Sequence, residues 1–191
     1  MKKVVLLAIM AVCVSISGFA QYFIATPDGL MDLNDQSKNY LVINFEGKSA
    51  SELYTLTNNY IQKNYVNPKN VLKGDIKDEF LSISTYAENF LMLQKALGAD
   101  VYANVNFLSQ FSFKDGKVKV QISDFKLTLD KDRNFKAFNY VGGSLLDWCI
   151  FNTNGNPKKK DLPEKFQNYF NNYVESYIKF VKDYESSNND W

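Results

Sequence analysis

The chain has 191 residues, among them 15 Phe, 12 Tyr and no His, and this length fits one domain behind a short leader. The lack of histidine excludes Ser-His and Cys-His nucleophile pairs, histidine general bases and His-ligated zinc sites. Without Lys2 and Lys3, the 22 basic residues fall to 20 against 21 acidic ones. Such a balance gives no electrostatic case for binding nucleic acid or an anionic membrane surface.

The first 20 residues have the pattern of a cleavable secretory signal. Lys2 and Lys3 precede an apolar run over residues 4–14, and small residues follow as far as Ala20. The run is shorter than the ~20 apolar residues that a bilayer-spanning helix needs. We therefore expect cleavage after Ala20 and a periplasmic or secreted protein with no membrane span.

The positions of the two cysteines bear on the type of signal and on disulfide formation. A lipoprotein signal places its cysteine directly after small residues, but Val12 precedes Cys13 and the apolar run continues beyond it, which disfavours lipidation. Cleavage after Ala20 leaves Cys149 as the only cysteine, so an internal disulfide, a thiolate metal cluster and dithiol redox chemistry are excluded. We interpret Cys149, next to Trp148, as a small buried hydrophobic residue.

The predicted domain begins with a lead-in and a strand. Residues 21–39 mix Pro, Gly, Asp and Asn with apolar positions, and we interpret them as a loose N-terminal lead-in. Residues 40–45 are apolar and β-rich, and Leu41, Ile43 and Phe45 stand at alternate positions. This alternation predicts a strand whose buried side carries Leu41, Ile43 and Phe45.

A helix is predicted next. Ser49 followed three residues later by Glu52 is a capping box, and apolar residues then recur at helical spacing. The pattern predicts a helix from Ala50 to Asn64. We expect Pro68 to exclude helical structure beyond that point.

The segment that follows is ambiguous. Leu81 and Ile83 alternate with serines, which favours a strand. Residues 90–97 fit a helix as well, until Gly98 breaks the pattern. Both interpretations of residues 90–97 stay open at this point.

Residues 101–129 carry the clearest β pattern. Asp115-Gly116 predicts a two-residue hairpin turn between two strands. In the second strand the apolar phase changes from even to odd positions, which predicts a β-bulge at or near Ser123. The buried positions expected in the first strand are Val101, Ala103, Val105, Phe107, Phe111 and Phe113. The pairs expected beyond the bulge are Phe107 with Phe125, Val105 with Leu127, and Ala103 with Leu129.

The C-terminal part predicts a long helix. Asp161 with Glu164 at the third position is a helix start signal, and residues 186–191 are expected to fray. The predicted apolar stripe of this helix comprises Leu162, Phe166, Tyr169, Tyr173, Tyr177, Phe180 and Tyr184. Residues 40–185 therefore predict a single α+β domain, an antiparallel sheet with helices packed on one face.

Two stretches of the sequence resemble the DUF4468 family, small exported bacterial proteins described as having a TBP-like fold. One is Ile43-Asn44-Phe45-Glu46-Gly47-Lys48-Ser49 with Glu52-Leu53-Tyr54 and Tyr60-Ile61-Gln62-Lys63-Asn64-Tyr65; the other is Phe113-Lys114-Asp115-Gly116-Lys117 with Ile122-Ser123-Asp124-Phe125. The resemblance covers residues 40–129 and implies a β-α-β-β-β core, to which this chain adds its long C-terminal helix. It implies no activity, and a TBP-like shape does not imply DNA binding.

The chain departs from the family pattern in two places. Tyr60 stands where the family often has Trp, and residues 78–83 replace the glycine-containing strand that the family places after its first helix.

Few residues are candidates for chemistry. Asp78-Glu79 and Asp130 with Asp132 are carboxylate pairs, but sequence neighbours at strand ends are most often solvated turns. Gly142-Gly143 lacks the pattern of a phosphate-binding loop. The basic run 158–160 is interpreted as a solvated loop.

The remaining candidate is a surface. Tyr102, Asn104 and Asn106 fall on the polar side of the predicted strand and are interpreted either as an ordinary wet sheet face or as a binding surface. Tyrosine hydroxyls of the last helix are a second candidate, at the rim of a pocket. We expect no catalytic, cofactor-binding or metal-binding residues.

The sequence therefore predicts an exported, non-catalytic binding or interaction module. Its partner would be another protein or a small apolar ligand, held on the second sheet face or between the sheet and the last helix, and we expect no cofactor and no nucleic acid. Two alternatives stay open. One is a carboxylate-based hydrolase acting on carbohydrate, and the other is a structural component of the cell envelope.

Overall fold

A computed structural model of the chain describes residues 21–96, 99–128, 134–136, 150–152 and 154–188. Its elements are β1 (Phe23–Thr26), β2 (Gly29–Asp32), β3 (Tyr40–Asn44), α1 (Ala50–Asn64), α2 (Pro68–Val71), β4 (Leu72–Ile76), β5 (Phe80–Ala96), β6 (Ala99–Lys114), β7 (Lys117–Thr128), β8 (Asn134–Lys136) and α3 (Leu162–Asn188). Several predictions concern residues outside the described ones, namely the leader with Cys13 and Ala20, Leu129, Asp130, Asp132, Gly142-Gly143, Trp148, Cys149 and residues 189–191.

Six strands form one antiparallel sheet in the order β3-β7-β6-β5-β4, and β8 pairs with β7 as well. Helices α1 and α3 pack against one side of this sheet and against each other. The predicted α+β class with helices on one face is confirmed. Five of the six β6 side chains expected to be buried lie in this core, with Val105 and Phe111 fully buried. The exception is Val101, which is half-buried and lies outside the core.

Helix α1 has the predicted limits because its N-terminus is capped locally. The Ser49 N–H donates to Glu52 Oε2 over 2.7 Å, and the Glu52 N–H donates to Ser49 Oγ over 3.3 Å. The expectation for Pro68 is wrong, because Pro68 is the first residue of the single-turn helix α2. A proline fits that position, where its missing N–H would have no helical acceptor and its fixed φ suits the helix.

The predicted hairpin and its bulge are confirmed. Gly116 turns the chain with φ of 74°, and β7 returns alongside β6. Leu108 pairs with Ser123 and Asn106 pairs with Lys126, so Asp124 and Phe125 together lie opposite Phe107. Asp124 has φ of 55°, as the extra residue of a bulge often requires. Beyond the bulge Val105 pairs with Leu127, as predicted.

The helical alternative for residues 90–97 is wrong, because β5 continues to Ala96. A bulge of three residues in β5 explains why the sequence of this segment also fits a helix. Ala87 pairs with Val105 and Leu91 with Ala103, so three residues of β5 lie opposite Asn104. The middle one, Asn89, has φ of 50° and donates its N–H to Asn104 Oδ1 over 2.8 Å.

The residues predicted as a loose lead-in form the hairpin β1–β2, which packs on α3. Phe23 and Leu30 of this hairpin are buried in the core. The amide of Asn171 on α3 accepts from the N–H groups of Tyr22 (3.0 Å) and Phe23 (2.7 Å), and it donates to the Phe23 carbonyl (3.2 Å). The hairpin is therefore fixed by a buried helix side chain.

Helix α3 is long, as predicted, but its buried side is rotated from the predicted stripe. The central line of buried residues contains Phe166, Phe170, Val174, Tyr177 and Val181. Tyr169, Tyr173, Phe180 and Tyr184, which were placed in the stripe, lie at its margins and are partly exposed. The helix also includes residues 186–188, where we expected fraying.

Candidate functional site

The sheet presents one side to the helices and leaves the other side uncovered by any described element. Residues that pair directly across strands point to the same side, so the register defines this open sheet face. Its members include Tyr40, Val42 and Asn44 of β3, Lys117, Lys119 and Gln121 of β7, Tyr102, Asn104, Asn106, Gln110, Ser112 and Lys114 of β6, and Ser84 and Tyr86 of β5.

The predicted surface residues lie together at one end of the open sheet face. Tyr102 is 39% exposed, and Tyr86, which pairs with Asn106, is 54% exposed. The two asparagines also hold the sheet itself: Asn106 accepts a hydrogen bond from Ser84 (3.1 Å), and Asn104 accepts the one from the β5 bulge. The two tyrosine rings are therefore the part of this end that is available to a partner.

The opposite end of the open sheet face is a shallow basic depression with a volume of about 310 Å³. It is lined by Tyr40, Val42, Ser112, Lys114, Lys117 and Lys119. The hairpin turn places Lys114 directly opposite Lys117, and the next pair on this side joins Ser112 to Lys119. Val42 of the edge strand pairs with Lys119 and is 52% exposed.

All charged residues that line the basic depression are positive. Like charges that lie directly opposite on neighbouring strands repel each other, and Lys114 and Lys117 do so here. Within the described part of the chain, no carboxylate forms an ion pair with these two lysines or with Lys119. The Lys119 ammonium lies 5.5 Å from the centre of the Tyr40 ring, a cation–π contact. An anion placed here would meet three unneutralised ammonium groups.

Sequence reasoning did not select these lysines. It singled out residues 158–160, of which Lys159 donates from its side chain to the Leu93 carbonyl. The signal that was available is the period of two: Lys117 and Lys119 follow a predicted turn on the side that points away from Val118 and Val120.

The gap between the sheet and α3 is filled by aromatic rings. Phe107 packs against Phe170 with ring centres 5.0 Å apart, and Phe90 packs against Phe166 at 5.5 Å. Phe125, the residue after the bulge, contacts Phe166 at 5.2 Å. A small apolar ligand in this gap would have to displace these rings, so the open sheet face is the better candidate of the two predicted locations.

A groove between the ends of α1 and α3 has a volume of about 500 Å³ and does have tyrosines at its rim. Their hydroxyls are already hydrogen-bonded: Tyr60 pairs with Ser176 (3.0 Å), and Tyr184 accepts from Asn59 (3.1 Å). The groove is also lined by two lysines, Lys63 and Lys179, and by one acidic residue, Asp183. Because the groove carries charges of both signs, its electrostatics favour an anionic ligand less clearly than those of the basic depression.

Two tyrosines of α3, the buried Tyr177 and the half-buried Tyr173, lie against α1 and its C-terminal end, and both stay protonated at neutral pH. Burial raises the pKa of Tyr177, whose hydroxyl lies 2.8 Å from Thr57 Oγ1. Burial also raises the pKa of Tyr173 well above its usual value, and its hydroxyl lies 3.5 Å from that of Tyr65. A phenol with a raised pKa is a poor base at neutral pH, so this cluster serves as structural hydrogen bonding.

The predicted carboxylate pair Asp78-Glu79 forms the tight turn between β4 and β5, where Asp78 has φ of 64°. Two neighbours on one turn do not face each other across a cleft. Among the residues that the structure describes, no group of three or more His, Cys, Asp or Glu side chains is arranged to hold a metal ion. Asp130 and Asp132 lie outside the described residues.

None of the helices in the described part of the chain combines the length and the apolar character needed to cross a membrane. Comparison with curated proteins gives no match for this chain.

Two crystal structures are similar to the chain in fold. One is a TBP-like protein from Parabacteroides distasonis ATCC 8503, with a TM-score of 0.54 and 15% identity over 75% of this chain and 91% of that one. The other is a DUF4468 family protein from Bacteroides ovatus ATCC 8483, with a TM-score of 0.50 and 12% identity over 75% of this chain and 82% of that one. Identities this low show a shared fold and no more.

The family model described as "Domain of unknown function (DUF4468) with TBP-like fold" matches residues 40–128. This segment runs from the first residue of β3 to the last residue of β7 and contains the whole basic depression. The resemblance to DUF4468 that the sequence predicted is thereby confirmed for residues 40–128, with a TBP-like fold.

Proposed function

We propose that the protein is an exported, non-catalytic binding module that holds its partner on the open sheet face. The observation that carries the proposal is the contrast between the two sides of one sheet. One side packs against α1 and α3, while the other exposes Tyr86 and Tyr102 at one end and Val42 with three lysines at the opposite end. Exposed aromatic and apolar side chains mark interaction surfaces, and the unpaired lysines add a local positive potential that attracts an anionic group.

Export is supported by the leader pattern and fits the start of the fold. Cleavage after Ala20 would leave Gln21 at the N-terminus, two residues before the buried Phe23. The folded domain would then begin almost at the cleavage point, and the hydrogen bonds of Asn171 to Tyr22 and Phe23 would stabilise the new end.

The non-catalytic part rests on composition and on where the carboxylates lie. The chain has no histidine, and the pKa values of Tyr173 and Tyr177 are raised. A carbohydrate hydrolase needs two carboxyl groups about 5–10 Å apart across a cleft, whereas Asp78 and Glu79 share one turn. We therefore favour binding over the hydrolase alternative.

Site-specific photo-crosslinking in the producing cell tests the proposal. A photoreactive phenylalanine analogue replaces Tyr102 on the open sheet face, and a control replaces Asn172, which is exposed on α3. We expect a crosslinked adduct from position 102 and none from position 172. If position 102 gives no adduct, or both positions give the same adducts, the open sheet face is not the binding surface.

A further inference from the structure

We infer that the basic depression binds an acidic polypeptide segment in extended conformation. This inference rests on the proposed function, because it names the class of partner for one end of the same open sheet face. Three properties of the depression support it: its charge, the spacing of its lysines and its apolar margin.

The charge selects an anion. Lys114 and Lys117 oppose each other in the hairpin, and Lys119 follows on the same side of β7. All three are exposed, and within the described residues none is paired with a carboxylate. Their mutual repulsion destabilises the free hairpin, and a bound carboxylate would remove part of it. Binding of an anion is therefore favoured by the relief of repulsion as well as by direct attraction.

The spacing selects an extended chain. Lys117 and Lys119 are two residues apart on a β-strand, so their Cα atoms are separated by about 6.6–6.8 Å. An extended polypeptide has the same repeat between side chains on one side. Carboxylates at alternate positions of such a segment would match Lys117 and Lys119 when it lies along β7, with Lys114 of β6 alongside.

The margin on β3 selects a segment that also has apolar residues. Val42 is more than half exposed, and the Tyr40 ring borders the same depression. A compact hydrophilic anion would leave both uncovered. Side chains on one side of an extended segment repeat every second residue. A segment with an aliphatic residue two positions beyond its acidic ones would therefore turn carboxylates toward the lysines and an aliphatic side chain toward Val42.

Fluorescence anisotropy with the exported chain, as purified from its producing cell, tests the inference. The labelled peptide has the ten-residue sequence Glu-Thr-Glu-Thr-Val-Thr-Glu-Thr-Glu-Thr, in which Glu and Val fall on one side of the extended chain. A matched peptide carries Gln in place of every Glu. The protein variant is the triple substitution Lys114→Gln, Lys117→Gln and Lys119→Gln. The control variant, Lys63→Gln with Lys179→Gln, removes positive charge from the groove between α1 and α3. All five lysines are exposed, so the folds should be unchanged.

We expect saturable binding of the acidic peptide that weakens with added salt, and no binding of the Gln peptide. The triple variant should bind about tenfold more weakly or worse, as expected when charge-assisted contacts are lost, and the control variant should bind like the original protein. The inference is overturned if the acidic peptide does not bind, or if the triple variant binds it equally well.

The same titration with heparin and with a DNA duplex separates other polyanions. Binding of either one more tightly than the acidic peptide, with the same loss in the triple variant, would overturn the polypeptide class. A crosslink from position 102 that persists while the acidic peptide fails would keep the proposed function and remove only this inference. Absence of both would remove the two together.

Discussion

Asp115 in the β6–β7 turn accepts a hydrogen bond from the backbone N–H of Ala50, the first residue of α1, over 2.9 Å. Two backbone bonds strengthen the same contact: the Phe45 N–H donates to Gly116 (2.7 Å), and the Gly116 N–H donates to Lys48 (2.7 Å). The two stretches of sequence that carry the DUF4468 resemblance therefore meet here. The hairpin that presents the basic depression is anchored to the helix layer by its own turn.

This anchor predicts a measurable loss of stability. Replacing Asp115 with Ala removes an acceptor from a helix N-terminus, and we expect the free energy of unfolding to fall by about 1 kcal/mol. Asp115→Asn keeps an acceptor oxygen and should lose less. Urea unfolding of the three proteins measures the difference. Equal stability of Asp115→Ala and the original chain would contradict the anchoring role.

The bulge on β7 gives a second prediction. Asp124 has a positive φ, which β-branched residues adopt only with strain. We expect Asp124→Val to lower the free energy of unfolding by about 1–3 kcal/mol, and Asp124→Gly to leave it unchanged or raise it slightly. Lys126→Val, an exposed site on the same strand beyond the bulge, is the matched control and should have a small effect. If Asp124→Val and Lys126→Val behave alike in thermal unfolding, the positive φ is not needed.

The hydrogen bonds between Asn171 and the β1–β2 hairpin give a third prediction. Asn171 is 1% exposed, and Asn171→Ala would leave the N–H groups of Tyr22 and Phe23 without their acceptor. We expect a loss of about 2–3 kcal/mol and faster hydrogen exchange at the Phe23 amide. Asn172→Ala changes the exposed neighbour and should do neither. Unchanged exchange at Phe23 in Asn171→Ala would show that the hairpin is held by other contacts.

Alkaline pH gives a fourth prediction. Burial, with a hydrogen bond to Glu175, raises the pKa of Tyr22 to about 12, and a hydrogen bond to Asp75 raises the pKa of Tyr54 to about 12, against the ordinary 10.0. Between pH 10 and 12 the unfolded chain loses phenol protons that the folded chain keeps, so stability falls as pH rises through this window and is level below it.

Urea midpoints measured on both sides of pH 10 test this dependence. The double variant Tyr22→Phe and Tyr54→Phe lacks both groups, so it should show a smaller decline through the window. A decline of the same size in the double variant would assign it to other tyrosines.

Elements with local signals were predictable from the sequence. The capping box of Ser49 and Glu52 fixed the start of α1, and the phase change at Ser123 located the bulge to within one residue. Elements that depend on distant partners were not. The β1–β2 hairpin is held by Asn171, which lies 148 residues beyond Phe23 in the chain, and no local pattern announces that contact. The three-residue bulge at Asn89 lets Phe90 and Leu91, which are adjacent in sequence, both contact the core. Adjacent core residues are typical of a helix and break the alternation of a strand.

One part of the candidate site was likewise predictable from the sequence, and another part was not. Strand alternation placed Tyr102, Asn104 and Asn106 on the open side of the sheet, because the period of two determines the side. The lysines of the basic depression were missed, although the predicted hairpin already places Lys114, Lys117 and Lys119 on one side. The sequence does not indicate that β3 pairs with β7, which brings Tyr40 and Val42 beside them.

Chemical acetylation of the lysines tests the central claim most directly, when labelling of the protein in the producing cell is compared with labelling of the purified protein. Mass spectrometry would report the modified fraction at each lysine under matched reagent exposure. If the open sheet face is occupied by its partner, Lys117 and Lys119 should be labelled less in the cell than after purification, while Lys63 and Lys179 should be labelled equally in both. Equal labelling of all four lysines in the two samples would contradict the claim that this face is the binding surface.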